Sequence, residues 1–179
     1  MQKGKSWIFP KFFGLGGCKM LDFCVPISRI IDVKRTYERE VHPMKKVNVY
    51  LDMDGTIANL YGQENWLARL LKEEDELFAT CEPMTTEEVI FRVFPKSQFR
   101  VKILSMTPKD VSKAYCEKVI AEKNEWLDKF FPHITERYYL PYGENKNLKN
   151  SAKAILVDDN AKIRSNFKGL ALNPTDLWG

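Results

Sequence analysis

The chain has 179 residues, 28 of them Lys or Arg and 24 Asp or Glu, with 44% apolar and 12% aromatic side chains. That is enough apolar material to bury the core of one ordinary domain, which excludes full disorder, and nothing in the composition fits a collagen, coiled-coil or disulfide-scaffold chain. No stretch approaches the roughly 20 uncharged apolar residues of a membrane-spanning helix, so the expected setting is the cytoplasm, without a membrane partner.

Residues 1–43 hold eight basic and four acidic side chains, and residues 44–179 hold twenty of each. The body of the chain therefore lacks the global basic excess of a nucleic-acid binder. A local set (Lys146, Lys149, Lys153, Lys162, Arg164, Lys168) reads as solvated surface, so nucleic acid is not the expected partner. Cys18, Cys24, Cys81 and Cys116 have no metal-ligand spacing and read as free thiols of a reducing compartment.

In chain order, the first 43 residues carry aromatic and glycine clusters (Trp7-Ile8-Phe9, Phe12-Phe13-Gly14) without helical or strand period. They read as a poorly ordered tail, or as a mis-assigned start in which translation begins at Met44. The codons for Arg39-Glu40-Val41 can spell a bacterial ribosome-binding site just upstream of that methionine. From there a strand is expected over residues 46–51, and Asp52-Met53-Asp54-Gly55-Thr56 forms a turn. Helical periodicity runs over residues 64–79, and Thr85-Thr86-Glu87-Glu88 starts a short helix ending before Pro95. A second strand is expected over 100–104, a long helix over 109–130, a third strand over 137–140 and a polar loop over 141–150. A fourth strand (153–157), a helix (161–166) and a fifth strand (170–172) complete the pattern. Strands alternating with helices predict an α/β fold with a parallel sheet covered on both faces. Such sheets bind ligands at the carboxyl ends of their strands.

The residues at those ends carry the chemistry. After the first strand, Asp52 and Asp54 stand one residue apart beside Gly55. Two acids so close repel, and need a cation or a shared proton. Asp158 and Asp159 end the fourth strand in the same way, where a helix cap needs only one of them. Ser105 ends the second strand, and Lys146 lies in the loop before the fourth.

In this order the motifs resemble the haloacid-dehalogenase-like (HAD) phosphohydrolase superfamily. A response-regulator receiver domain uses a similar set but opens with its acidic pair. The stretches LDMDGTIANL (51–60), ILSMTP (103–108), PYGENK (141–146) and LVDDN (156–160) resemble most the small 5′(3′)-deoxyribonucleotidase-like group of bacteria and phages. The resemblance spans about residues 46–173. It implies a Rossmann-like three-layer sandwich with a mainly parallel five-stranded sheet over residues 44–179. It also implies a small helical cap at about 60–98, since residues 57–100 exceed the roughly 10–15 that a bare crossover needs.

The implied activity is Mg²⁺-dependent phosphomonoester hydrolysis through an aspartyl-phosphate, with a 5′-nucleotidase acting on nucleoside monophosphates as the leading form. Asp52 is then the nucleophile and Asp54 the general acid/base. Mg²⁺ is held by Asp52, the Asp54 carbonyl and one or both of Asp158 and Asp159. Ser105, Met106, Lys146 and Asn59 bind substrate, and Lys149 is the alternative to Lys146. Trp66 and Phe91 are weighed as leaving-group contacts against a plain packing role. The competing functions are a phosphatase for another metabolite or for a nucleic-acid 3′-phosphate end, and a non-catalytic binding module of the same fold.

Overall fold

A computed structural model describes residues 45–178. The N-terminal stretch read above as a tail or mis-assigned start lies outside the described residues. Five strands form one sheet: β1 (Val47–Leu51), β2 (Phe99–Met106), β3 (Arg137–Leu140), β4 (Ile155–Val157) and β5 (Leu170–Leu172). Their order is β3-β2-β1-β4-β5, and all four pairings are parallel. The chain runs outward from β1 to β3, then returns across β1 to add β4 and β5. The reversal lies between β1 and β4, the switch point at which open parallel sheets leave a crevice.

Alternation along the strands divides the core into two. Val49, Leu51, Ile103, Ile155 and Val157 face one cluster, and Tyr50, Leu104 and Leu156 face the other. The first cluster is closed by helix α3 (Lys113–Phe130) through Tyr115, Val119, Trp126 and Leu127. The second is closed by Phe167 and by Ile163 of helix α4 (Ala161–Asn166). The α/β architecture expected from the alternation is present, with both faces of the sheet covered. A short C-terminal helix, α5 (Thr175–Trp178), was not foreseen; it adds Leu177 to the first cluster. No helix among the described residues is long and apolar enough to cross a membrane.

The connection between β1 and β2 holds two short helices, α1 (Trp66–Leu71) and α2 (Glu87–Val93). The helical period over 64–79 is therefore only partly realised. Asn65, Glu73 and Glu76 all take left-handed backbone angles (φ 54°, 57° and 61°), which bound α1 on both sides. Tertiary contacts hold these turns in place. The Glu73 carboxylate accepts from the Ser112 N–H and hydroxyl (2.6 and 2.8 Å), and the Tyr115 hydroxyl donates to the Glu74 carbonyl (2.8 Å). Buried Glu122 accepts from the Glu76 and Phe78 N–H groups (2.9 and 3.1 Å). Trp126 Nε1 donates to the Cys81 carbonyl at 2.6 Å. All these anchors lie on α3 or its cap. The same contacts explain why α3 starts four residues later than expected: Asp110 is left-handed (φ 60°), and Ser112 caps the helix by accepting from Tyr115 N–H.

Glu122→Ala leaves two partly or fully buried N–H groups unpaired, which should cost about 2–4 kcal/mol. Chemical denaturation should read this loss. Hydrogen exchange should quicken first at residues 74–82, ahead of the sheet.

Candidate active site at the switch point

The register of β1 and β4 sets Leu51 beside Val157, so the next residues, Asp52 and Asp158, emerge side by side. The Asp52 N–H donates to the Val157 carbonyl at 2.9 Å and extends the pairing to Asp52 itself. Both carboxylates are buried. Asp159 completes the group: one oxygen from each of Asp52, Asp158 and Asp159 lies within 4.8 Å of the others.

Gly55 makes the turn possible. Its φ is +76°, and a Cβ there would collide with the Tyr61 ring and sit 2.8 Å from Asp159 Oδ2. Buried Thr56 ties the two acidic segments together, its hydroxyl accepting from the Asp159 N–H at 3.2 Å. The Arg164 guanidinium donates to the carbonyls of Asp158 and Asp159 (2.7 and 2.6 Å). Asn160 caps α4 and donates its N–H to Asp158 Oδ1 at 2.9 Å.

Lys146 is the lysine that enters the site. It is buried, and its Nζ donates to Asp52 Oδ1 (2.5 Å) and Asp158 Oδ2 (2.8 Å). Burial opposes its charge, but the two carboxylates outweigh burial and raise its pKa. Lys149, the alternative, is exposed. The basic set read as solvated surface thus divides: Lys146 and Arg164 turn inward, while Lys149, Lys153, Lys162 and Lys168 are exposed.

A second lysine, absent from the sequence reading, stands beside the first acidic pair. Lys123 of α3 is fully buried, and its Nζ donates to Asp54 Oδ2 (2.6 Å), Ser105 Oγ (2.9 Å) and the Met106 carbonyl (2.9 Å). Asp54 Oδ1 is buried without a hydrogen-bond partner. Burial raises the Asp54 pKa more than Lys123 lowers it, and the Asp52 charge adds to the rise.

Asp52, Asp54, Ser105, Lys146, Asp158 and Asp159 therefore share one end of the sheet. Met106 is present through its carbonyl. Asn59 is exposed and its Oδ1 accepts from the Gly62 N–H at 3.0 Å, a local turn contact. Phe91 packs against the main core with Lys96 Nζ 4.0 Å from its ring centre. Trp66 packs partly on the core and meets half-exposed Tyr61 edge-on at 5.1 Å. The Tyr61 ring and the Asp159 carboxylate both border Gly55, and partial burial with the charges of Asp159 and Asp54 raises the Tyr61 pKa.

The donor chemistry fits a hard divalent cation. Three carboxylates converge, and the Asp54 carbonyl accepts no hydrogen bond among the described residues. Asp159 also receives none at its carboxylate from any other described residue, so its lone pairs are open. Scanned against protein-family models the chain finds no match, and no curated protein matches it.

Crowded like charges should register in stability. Burial, then Asp52 and Asp158, raises the Asp159 pKa from 3.8 to about 6. The folded chain then holds a proton that the unfolded chain has already released. Stability of the metal-free protein therefore falls as pH rises from about 4 to 6, with Asp159 contributing roughly 1–3 kcal/mol. Asp54 and Asp158, also raised, act with the same sign. Thermal unfolding in EDTA should give a higher Tm at pH 5 than at pH 7, and Asp159→Asn should flatten the difference.

Proposed function

We propose that the chain is a phosphomonoester hydrolase of the haloacid-dehalogenase-like type, acting through an aspartyl-phosphate on small phosphorylated substrates. The observation that carries this reading is Lys146 Nζ lying between Asp52 and Asp158, 2.5 and 2.8 Å from their oxygens, at the β1/β4 switch point. A structural ion pair needs one carboxylate. Here a buried ammonium serves two, with a third beside them, and such a site suits a dianionic ligand that must approach an anionic nucleophile.

In the proposed reaction an Asp52 carboxylate oxygen attacks phosphorus in line. The bond from phosphorus to the leaving oxygen breaks, and its electron pair stays on that oxygen, which takes a proton from Asp54. Burial favours the protonated Asp54 that this step needs. Water then attacks the phosphorus of the aspartyl-phosphate as Asp54 takes a proton from it. The phosphorus–Asp52 oxygen bond breaks, returning the carboxylate and releasing inorganic phosphate. Lys146 offsets the repulsion between phosphate and nucleophile, and the Ser105 hydroxyl donates to a phosphoryl oxygen.

Asp52, Asp158, Asp159 and the Asp54 carbonyl are the residues that would hold Mg²⁺. When bound, the ion supplies positive charge against both phosphate and nucleophile. In this reading the β1–β2 connection is a small cap over the strand ends. Within phosphomonoesters, the Tyr61 ring beside Gly55, met edge-on by Trp66, favours a planar leaving group, and so a nucleoside monophosphate.

The test is phosphate release from 5′- and 3′-nucleoside monophosphates and from sugar phosphates, with Mg²⁺ and with EDTA. Release should require Mg²⁺ and favour nucleotides. No release from any ester by folded protein would favour the non-catalytic binding module. Asp52→Asn and Asp54→Asn should each lower turnover by at least about 10³-fold without unfolding the chain. Lys146→Ala should lose about 10²-fold or more, whereas exposed Lys149→Ala should stay within about threefold of the parent.

A further inference from the structure

Lys123 is a fully buried charged group at the site that the reaction above leaves unused. It lies in the middle of α3, on the face that otherwise supplies Val119, Trp126 and Leu127 to the core. Taking an ammonium out of water costs several kcal/mol, and a well-packed apolar side chain in place of a buried ion pair is often neutral or stabilising. Fold stability alone is therefore a poor reason for a lysine at this position.

Its hydrogen bonds have a direction. An ammonium only donates, so Ser105 Oγ is the acceptor at 2.9 Å, and the Ser105 hydroxyl hydrogen points away from Lys123. The Met106 carbonyl and Asp54 Oδ2 take the other two protons. Asp54 is thereby held by one oxygen only, and Oδ1 is left without a partner. Phe78 lines the other side of the ammonium, 4.7 Å from its ring centre, and offers no competing acceptor of comparable strength.

We infer that Lys123 is a positioning residue. It pins Asp54 so that Oδ1 is the oxygen that exchanges a proton with the leaving group, and it fixes the Ser105 hydroxyl as a donor toward the phosphoryl group. The inference rests on the phosphomonoesterase reading and adds a residue to it.

Leaving-group chemistry separates this role from a structural one. An alkyl phosphate needs its leaving oxygen protonated, whereas p-nitrophenyl phosphate releases an anion that needs no proton. The ratio of kcat/KM for the two esters, measured in one sample, does not depend on the folded fraction. In Lys123→Met the alkyl ester should lose at least about tenfold more kcat/KM than the nitrophenyl ester, with most of the loss in kcat. Lys123→Gln, which can still donate to Ser105 or Met106, provides a second variant if the methionine form does not fold, and should shift the ratio in the same direction. Wild-type turnover with an unchanged ratio in the folded variant overturns the positioning role alone. A folded wild-type chain that hydrolyses neither ester overturns the phosphomonoesterase reading and this inference with it.

Discussion

Like charge concentrated at one edge of a parallel sheet is the constraint around which this molecule is arranged. Asp52, Asp54, Asp158 and Asp159 gather there, and two buried ammonium groups, Lys123 and Lys146, reach into them. The count does not close: four carboxylates face two lysines. The raised pKa values of Asp54, Asp158 and Asp159 express the excess in another form, since burial and mutual repulsion both favour the bound proton. A divalent cation at the Asp52, Asp158 and Asp159 oxygens would balance that excess.

The sheet's register makes the concentration unavoidable. Parallel pairing sets Leu51 against both Ile103 and Val157, so every strand end at the centre of the sheet faces the same side. Whatever follows those residues must share one crevice. Gly55 then turns the chain sharply enough for Asp54 to stay there, in a space where the Tyr61 ring and the Asp159 carboxylate leave no room for a side chain. Thr56 and Arg164 hold the two acidic segments by their backbone groups, leaving their carboxylates to the site.

Much of this was legible because it depends on short-range pattern. Apolar strands ending in acids, a glycine in the turn and the β/α alternation are all local, and the strand at 137–140 and the helix at 161–166 coincide with β3 and α4. Lys146 could be separated from Lys149 only in space, where one is buried between two carboxylates and the other is exposed. Lys123 was missed because a lysine in a charged helix ordinarily faces water. A signal was present: Lys123 falls four residues after Val119 and three before Trp126, in the middle of the apolar stripe. The extent of α1 was not legible for the opposite reason. Local periodicity favoured helix over 64–79, but the left-handed turns at Glu73 and Glu76 are held by Ser112 and Glu122, some forty residues away in sequence.

These long-range contacts also bear on how the site keeps its shape. Glu122 and Lys123 are neighbours on α3 and both are buried, yet they serve different partners. Glu122 holds the backbone at Glu76 and Phe78, while Lys123 holds Asp54 and Ser105. Phe78 connects the two, because its N–H is bound by Glu122 and its ring lies against the Lys123 ammonium. The β1–β2 connection and the Asp54 carboxylate are therefore referenced to the same turn of the same helix. A displacement of residues 76–78 would remove the wall beside Lys123 and admit water to an ammonium whose partners depend on its exclusion. Rigid attachment of that connection is thus part of the electrostatics of the site, since buried hydrogen bonds of this kind keep their strength only while the surrounding dielectric stays low.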